Sequence, residues 1–188
     1  MNITVDDSVI AADVLSFWFE AHGPKDWFGG AESFDKAVIE GFSTTHAQAV
    51  ANELVSWRST PEGRLAELIV LDQFSRQIYR RQARAFASDG QALALAQELV
   101  LRGDDLKIEE ARRRFAYMPY MHSESRVVQD DSVRLFSAFD EESQRYAREH
   151  RVLIVRFGRF PHRNATLGRE STAAEREYLA GNHESYGQ

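Results

Sequence analysis

Three short stretches of this 188-residue chain put ionisable side chains in a pattern that could do chemistry. The first is Gly158-Arg159-Phe160-Pro161-His162-Arg163-Asn164. It lies within Arg156 to Arg169, which holds four arginines and one histidine in a chain whose net charge is -6. Phe160-Pro161 stiffens this loop, and Asn164 offers both a donor and an acceptor, so the loop can present fixed donors. Fixed cationic donors suit a carboxylate or a phosphate. The competing reading pairs Arg159 and Arg163 with acids on neighbouring helices, locking the last helix in place.

The second stretch continues an apolar stripe. At 100° per residue Leu65, Leu68 and Ile69 share one helix face, and Asp72, Arg76 and Tyr79 prolong it. A buried charge must be paired or neutralised. Asp72 and Arg76 stand four apart, the spacing of an intrahelical ion pair. Two readings stay open: a structural pair, or Arg76 facing a ligand with Asp72, Gln73 and Arg80 nearby. The third stretch, His122-Ser123-Glu124, sits at a junction between helices. His122 follows Met118 by four residues and Phe115 by seven, which turns it toward the core stripe. It can close the core while Ser123 caps the next helix, it can work with Glu124 and His162 as a proton-transfer group at a pocket rim, or it can form a metal pair with Glu124.

Composition removes several classes. Without cysteine there is no disulfide, no thiolate catalysis and no cysteine-ligated metal centre. The acidic balance disfavours nucleic acid and anionic membranes as partners held by overall charge, and no apolar run reaches membrane-spanning length. Acid stands at Asp6-Asp7 where a signal peptide carries base, so the expected location is cytoplasmic. Arginine outnumbers lysine 20 to 3, which fits forked hydrogen bonding to anions and equally a compositional bias. No nucleophile elbow, phosphate loop or His-Glu-x-x-His is present, and neither a metal nor a cofactor is called for. Trp18, Trp27, Phe28, His46 and His150 are read as core.

The elements that must position these groups are helices, about eight of them, in one domain over residues 1–188. The first opens after Asp6, Asp7 or Ser8 with Ile10, Val14, Phe17 and Trp18 on its stripe, and a loop carries Trp27-Phe28-Gly29-Gly30. The second stripes Phe34, Val38, Phe42, His46 and Ala49. Thr60 and Pro61 open a third that runs to about Tyr79. Ser88 and Gln91 have capping-box spacing for a fourth, and Gly103 ends it. The fifth spans about Ile108 to Met121, with a kink or early end near Met118 imposed by Pro119. The sixth runs from Glu124 to about Phe139. The seventh starts at Asp140 and ends at Gly158, and a capping box at Thr172 and Glu175 opens the last. Residues 181–188 are expected to fray. Short connections favour antiparallel hairpins, as a bundle or a short superhelix.

The stretches Val14-Leu15-Ser16-Phe17-Trp18-Phe19, Trp27-Phe28-Gly29-Gly30, Leu71-Asp72-Gln73-Phe74, Ala83-Arg84-Ala85-Phe86-Ala87, His122-Ser123-Glu124 and Arg156 through Asn164 together resemble the bacterial domain of unknown function 924, over about residues 14–179. The resemblance implies a tetratricopeptide-like all-helical fold and no established activity. No recurring 34-residue frame is visible in the chain itself. The family usually has Pro-Arg-Asn-Ile-Tyr-Arg where this chain has Ser75-Arg76-Gln77-Ile78-Tyr79-Arg80. Ser75 predicts a straighter helix there, and Gln77 puts in doubt any role needing the shorter amide.

Two functions follow as expectations. In the first, Asp72, Gln73, Arg76, Arg159, Arg163 and Asn164 hold a small anionic ligand while His122, Glu124 and His162 transfer protons, as in a metal-independent hydrolase or lyase. In the second, the chain is a noncatalytic helical module that binds a partner peptide or protein in a groove.

Overall fold

The computed structural model describes residues 9–181, which form nine helices and no strand. α1 (Ala11–Ser16) continues as a π-helical turn, Phe17–Ala21, and buries Val14, Leu15 and Trp18. The expected cap residues Asp6, Asp7 and Ser8 lie outside the described residues. Ile10 is the residue before the helix and is exposed, not part of the stripe. Its N–H is met from inside the helix by the Asp13 carboxylate at 2.8 Å. α2 (Pro24–Gly29) replaces the loop expected around Trp27. Pro24 at the first position, Asp26 accepting the Gly23 N–H at 3.0 Å, and left-handed Gly30 put a start and a stop within seven residues. α3 (Glu32–Val50) buries Phe34, Val38, Phe42, His46 and Ala49 as expected.

α4 is the central helix. It runs Pro61–Leu68, passes through a π-helical turn at Ile69–Phe74 and closes with an α-turn at Ser75–Ile78. Thr60 caps it by accepting the Gly63 N–H at 3.0 Å. The helix is widened where Ser75 predicts a straighter path. Ser75 Oγ donates to the Leu71 carbonyl at 2.6 Å and bonds His46 at 2.7 Å, offering that carbonyl a side-chain partner. Every residue of the widened turn, Asp72 and Gln73 included, is buried. α4 packs against α1, α3 and the two helices that follow it.

α5 (Asp89–Leu101) and α6 (Glu110–Met121) follow. The capping box at Ser88 and Gln91 does not form. Gln91 instead donates across to the Ala49 carbonyl at 2.9 Å, a tertiary partner that local spacing cannot announce. Pro119 stands inside α6 without ending it early. The carbonyls at and just past the helix end, which have no partner within the helix, find a buried amide, because Gln129 Nε2 donates to Met121 O at 2.7 Å and Ser123 O at 2.8 Å. α7 (Arg126–Phe136) is shorter at both ends than expected, and its first residue is preceded by Ser125, not Ser123. α8 (Glu141–Phe157) is capped by Asp140 and ended by left-handed Gly158, and α9 (Ala173–Ala180) opens with the Thr172–Glu175 capping box.

The main core joins residues from α1 through α8, while Leu153, Ile154 and Phe160 pack with Phe157 and Tyr178 as a smaller cluster under α9. Among the described residues no helix is long and apolar enough to cross a membrane.

Candidate functional site

The end of α4, the start of α5, the end of α6 and the loop after α8 meet in one polar network. Asp72, 1 % exposed, is its centre. Its Oδ1 lies 2.7 Å from His122 Nδ1 and 3.4 Å from Arg76 Nη1, and its Oδ2 accepts Gln73 Nε2 at 2.5 Å. Burial works against the Asp72 charge, but His122 and Arg76 outweigh it and hold the carboxyl far below the usual range. An ionised carboxylate only accepts, so His122 Nδ1 carries the hydrogen and donates. In the neutral ring Nε2 is then a lone pair, and it makes no hydrogen bond to the described residues. Burial depresses the His122 pKa, Asp72 resists and Arg76 adds to the depression, so the ring is neutral near pH 7.

Arg76 reaches in two directions. Nη1 donates to the Asp72 carbonyl at 2.5 Å, and Nη1 and Nη2 together fork onto Asp89 at 3.0 and 3.1 Å. Its Nε is buried with no partner. Arg163, 4 % exposed, shares Asp89 at 3.2 Å and donates to the His122 carbonyl at 3.2 Å. Its guanidinium carbon also lies 4.6 Å from the ring centres of both Phe86 and Phe160. Burial and then Arg76 push the Arg163 guanidinium down to about 10.

Beside this network is a cleft of about 80 Å³ lined by Arg76, Arg80, Arg81, Ala85, Phe86, His162 and Thr166. Arg80 forks onto Asp35 from α3. Arg81 is exposed and makes no hydrogen bond or ion pair with the described residues. Its backbone stands in the left-handed region at φ 63°, which costs a non-glycine residue about 1–2 kcal/mol. Such an outlier is held by its surroundings and is a reason to look for function there. Around the cleft the guanidinium groups of Arg76, Arg80, Arg81 and Arg163 stand against the carboxylates of Asp35, Asp72 and Asp89, an excess of one positive charge among the described residues.

The residues singled out in the sequence therefore divide. Asp72, Gln73, Arg76, His122 and Arg163 converge, and His162 lines the adjoining cleft. Glu124 and Asn164 belong to a separate knot around Arg169. Glu124 forks with Arg169 at 2.7 and 2.9 Å and accepts the Phe160 N–H at 2.8 Å. Burial disfavours the Glu124 charge, but these bonds prevail and lower its pKa. Asn164 accepts from Arg169 at 3.0 Å and donates to Ser171 at 3.0 Å. Arg159 forks onto Glu175 at 2.7 and 2.8 Å and ties the loop to α9. Arg81, Asp89 and Thr166 carried no signal in the sequence, and Phe86 stood there only as part of a family motif. A lone arginine after a helix or an acid at a helix start is commonplace, and only the fold brings them to Arg76.

A second, open depression lies on α8 between Arg145, Arg148, Val152, Leu153 and Tyr178. Its arginines are matched to Glu149 and Glu141, so it offers a charged partner less than the cleft does. Among the described residues no three His, Asp or Glu side chains gather as around a metal ion.

Residues 14–183 match the family described as bacterial protein of unknown function, DUF924. A solved protein of unknown function from Agrobacterium tumefaciens is 39% identical and superposes with a TM-score of 0.87, covering 90% of this chain and 96% of its own. No curated protein matches. The chain belongs to the DUF924 family, whose description assigns no function.

Proposed function

We propose that the protein binds a small anionic molecule in the cleft between the end of α4 and the loop after α8. The observation that carries this is Arg81, a cation with no partner among the described residues, in a strained backbone at a cleft already lined by Arg76, Arg80 and His162. A cation left over in a cluster otherwise matched with carboxylates is a standing attraction for an anion, and forked guanidinium donors fit carboxylate or phosphate oxygens. Pockets for drug-sized ligands run to about 300–1,000 Å³. At about 80 Å³ the cleft suits a single anionic group, with the rest of the ligand outside.

The test is a thermal-shift panel of carboxylates and phosphates at constant ionic strength, on wild type and Arg81→Glu. Saturable stabilisation of wild type is expected, about 2.7 kcal/mol at a hundred times Kd, with none in the variant. A flat panel, or an Arg81→Glu protein that responds like wild type, would sink the proposal.

A second observation favours acid–base chemistry beside the bound anion. Asp72 orients His122 through Nδ1 and leaves Nε2 as a lone pair in a ring that is neutral near pH 7. This is the state a general base needs, and it supports reading the site as a metal-independent hydrolase or lyase. Nitrogen-15 NMR of the histidine rings at pH 7 tests it. The reading requires His122 protonated on Nδ1 alone, and fails for a cationic ring or an Nε2–H tautomer.

A further inference from the structure

The cleft's donors come from different sides. Arg76, Arg80 and Arg81 enter from the end of α4, whereas His162 and Thr166 enter from the loop after α8. A carboxylate lays its lone pairs in one plane and is satisfied by a single guanidinium fork. A phosphate group spreads three terminal oxygens over a tetrahedron and takes donors from several directions at once. Around the cleft four guanidinium groups face three carboxylates of the described residues, and a phosphomonoester, at about -1.5 to -2 at pH 7, is drawn to such a local excess of positive charge more strongly than a singly charged carboxylate.

The size of the cleft and its apolar wall agree. Ala85 and Phe86 line one side and offer nothing to an oxygen, but they can lie against the first carbon of an ester. The guanidinium carbons of Arg163 and Arg76 lie 4.6 and 5.7 Å from the Phe86 ring centre, so the apolar wall itself lies against positive charge.

We propose that the ligand group in this cleft is a tetrahedral oxyanion, the phosphate of a small phosphomonoester or free phosphate, held by Arg76, Arg81, His162 and Thr166 in preference to a carboxylate. This rests on the anion-binding reading above. Arg81 is the decisive ligand because, of the cleft arginines, it is the one with no carboxylate partner among the described residues.

Calorimetric titration of the full chain at pH 7 and fixed ionic strength, with inorganic phosphate, methyl phosphate and acetate, tests it. Either phosphate is expected to bind at least about tenfold more tightly than acetate, the difference of one charge-assisted hydrogen bond. Arg81→Gly keeps the left-handed backbone at no steric cost, so it should melt at the same temperature as wild type or higher while phosphate affinity falls about 10- to 100-fold. Thr166→Val should weaken phosphate more than acetate. Methyl phosphate binding as tightly as inorganic phosphate or tighter assigns the site to an ester, and the reverse assigns it to free phosphate. Acetate binding as well as phosphate overturns the tetrahedral assignment and leaves the anion cleft standing. No binding of any probe, or phosphate affinity untouched in Arg81→Gly, overturns both.

Discussion

Two arginine-rich regions lie side by side in this molecule and differ in how their charge is spent. In the loop after α8, Arg159 is taken up by Glu175 and Arg169 by Glu124, each in a two-point fork, and Asn164 completes the knot. Across the loop, Arg76 and Arg163 share Asp89, His122 and Arg76 share Asp72, and Arg81 has no carboxylate among the described residues. The first arrangement closes the structure around the last helix. The second leaves positive charge facing a cleft. A count of arginines cannot separate the two. The difference lies in where each carboxylate sits, and that separates a structural clasp from the proposed anion site.

The comparison breaks most sharply at Asp72. Removing it leaves Arg76 and a buried histidine without their shared anion, so Asp72→Ala should destabilise by about 3–5 kcal/mol in urea unfolding. A loss under about 1 kcal/mol would mean that Asp89 alone suffices for Arg76. In the clasp, Glu124→Gln should cost about 1–3 kcal/mol, because the partly buried Arg169 fork and the Phe160 N–H lose their charged acceptor. It should leave anion binding unchanged. Altered affinity in that variant would merge the two regions into one.

Protonation distinguishes them next. Burial, then His122, lower the His150 pKa to about 3, against about 6.5 in the unfolded chain. The unfolded state therefore binds more protons between these values. The stability due to His150 is complete above about pH 6.5 and declines as pH falls toward 3, by up to about 1.4 kcal/mol per pH unit. His46 and His122 are lowered too and act in the same direction. The clasp behaves differently, since the depressed Glu124 pKa makes its contribution fall away only below the ordinary carboxylate range. Unfolding free energy measured from pH 7.5 to 4.5 should slope downward in wild type and less steeply in His150→Phe. Equal slopes would remove His150 from the account. The smallest effect is at Arg81, where glycine should leave stability equal or raise it by up to about 1 kcal/mol while anion binding is lost. A marked fall in stability would make Arg81 a structural residue.

Much of the fold was legible because its signals are local. Thr60-Pro61, Asp140, Gly158 and the Thr172–Glu175 pair act within a turn of their own helix, and each stands where its chemistry predicts. Expectations failed where a partner distant in sequence competed. Gln91 left its capping box for the Ala49 carbonyl, and Ser75 gave its hydroxyl to Leu71 and His46 in a widened helix. The short helix at Pro24–Gly29 was hidden by its length, since six residues show no periodicity.

The sequence by itself determined the all-helical class and the family, and it marked Asp72 and Arg76 as charges on an apolar stripe, His122 as turned toward the core and Arg163 as part of a basic loop. Spacing along a helix fixes which face a residue takes, and desolvation makes a charge on an apolar face conspicuous. Only the tertiary structure decided which charges cancel. Asp89 reaches Arg163 across 74 positions and Glu124 reaches Arg169 across 45, so pairing depends on contacts that no local pattern encodes. Arg81 stood out only after Arg76, Arg80 and Arg163 had found their acids.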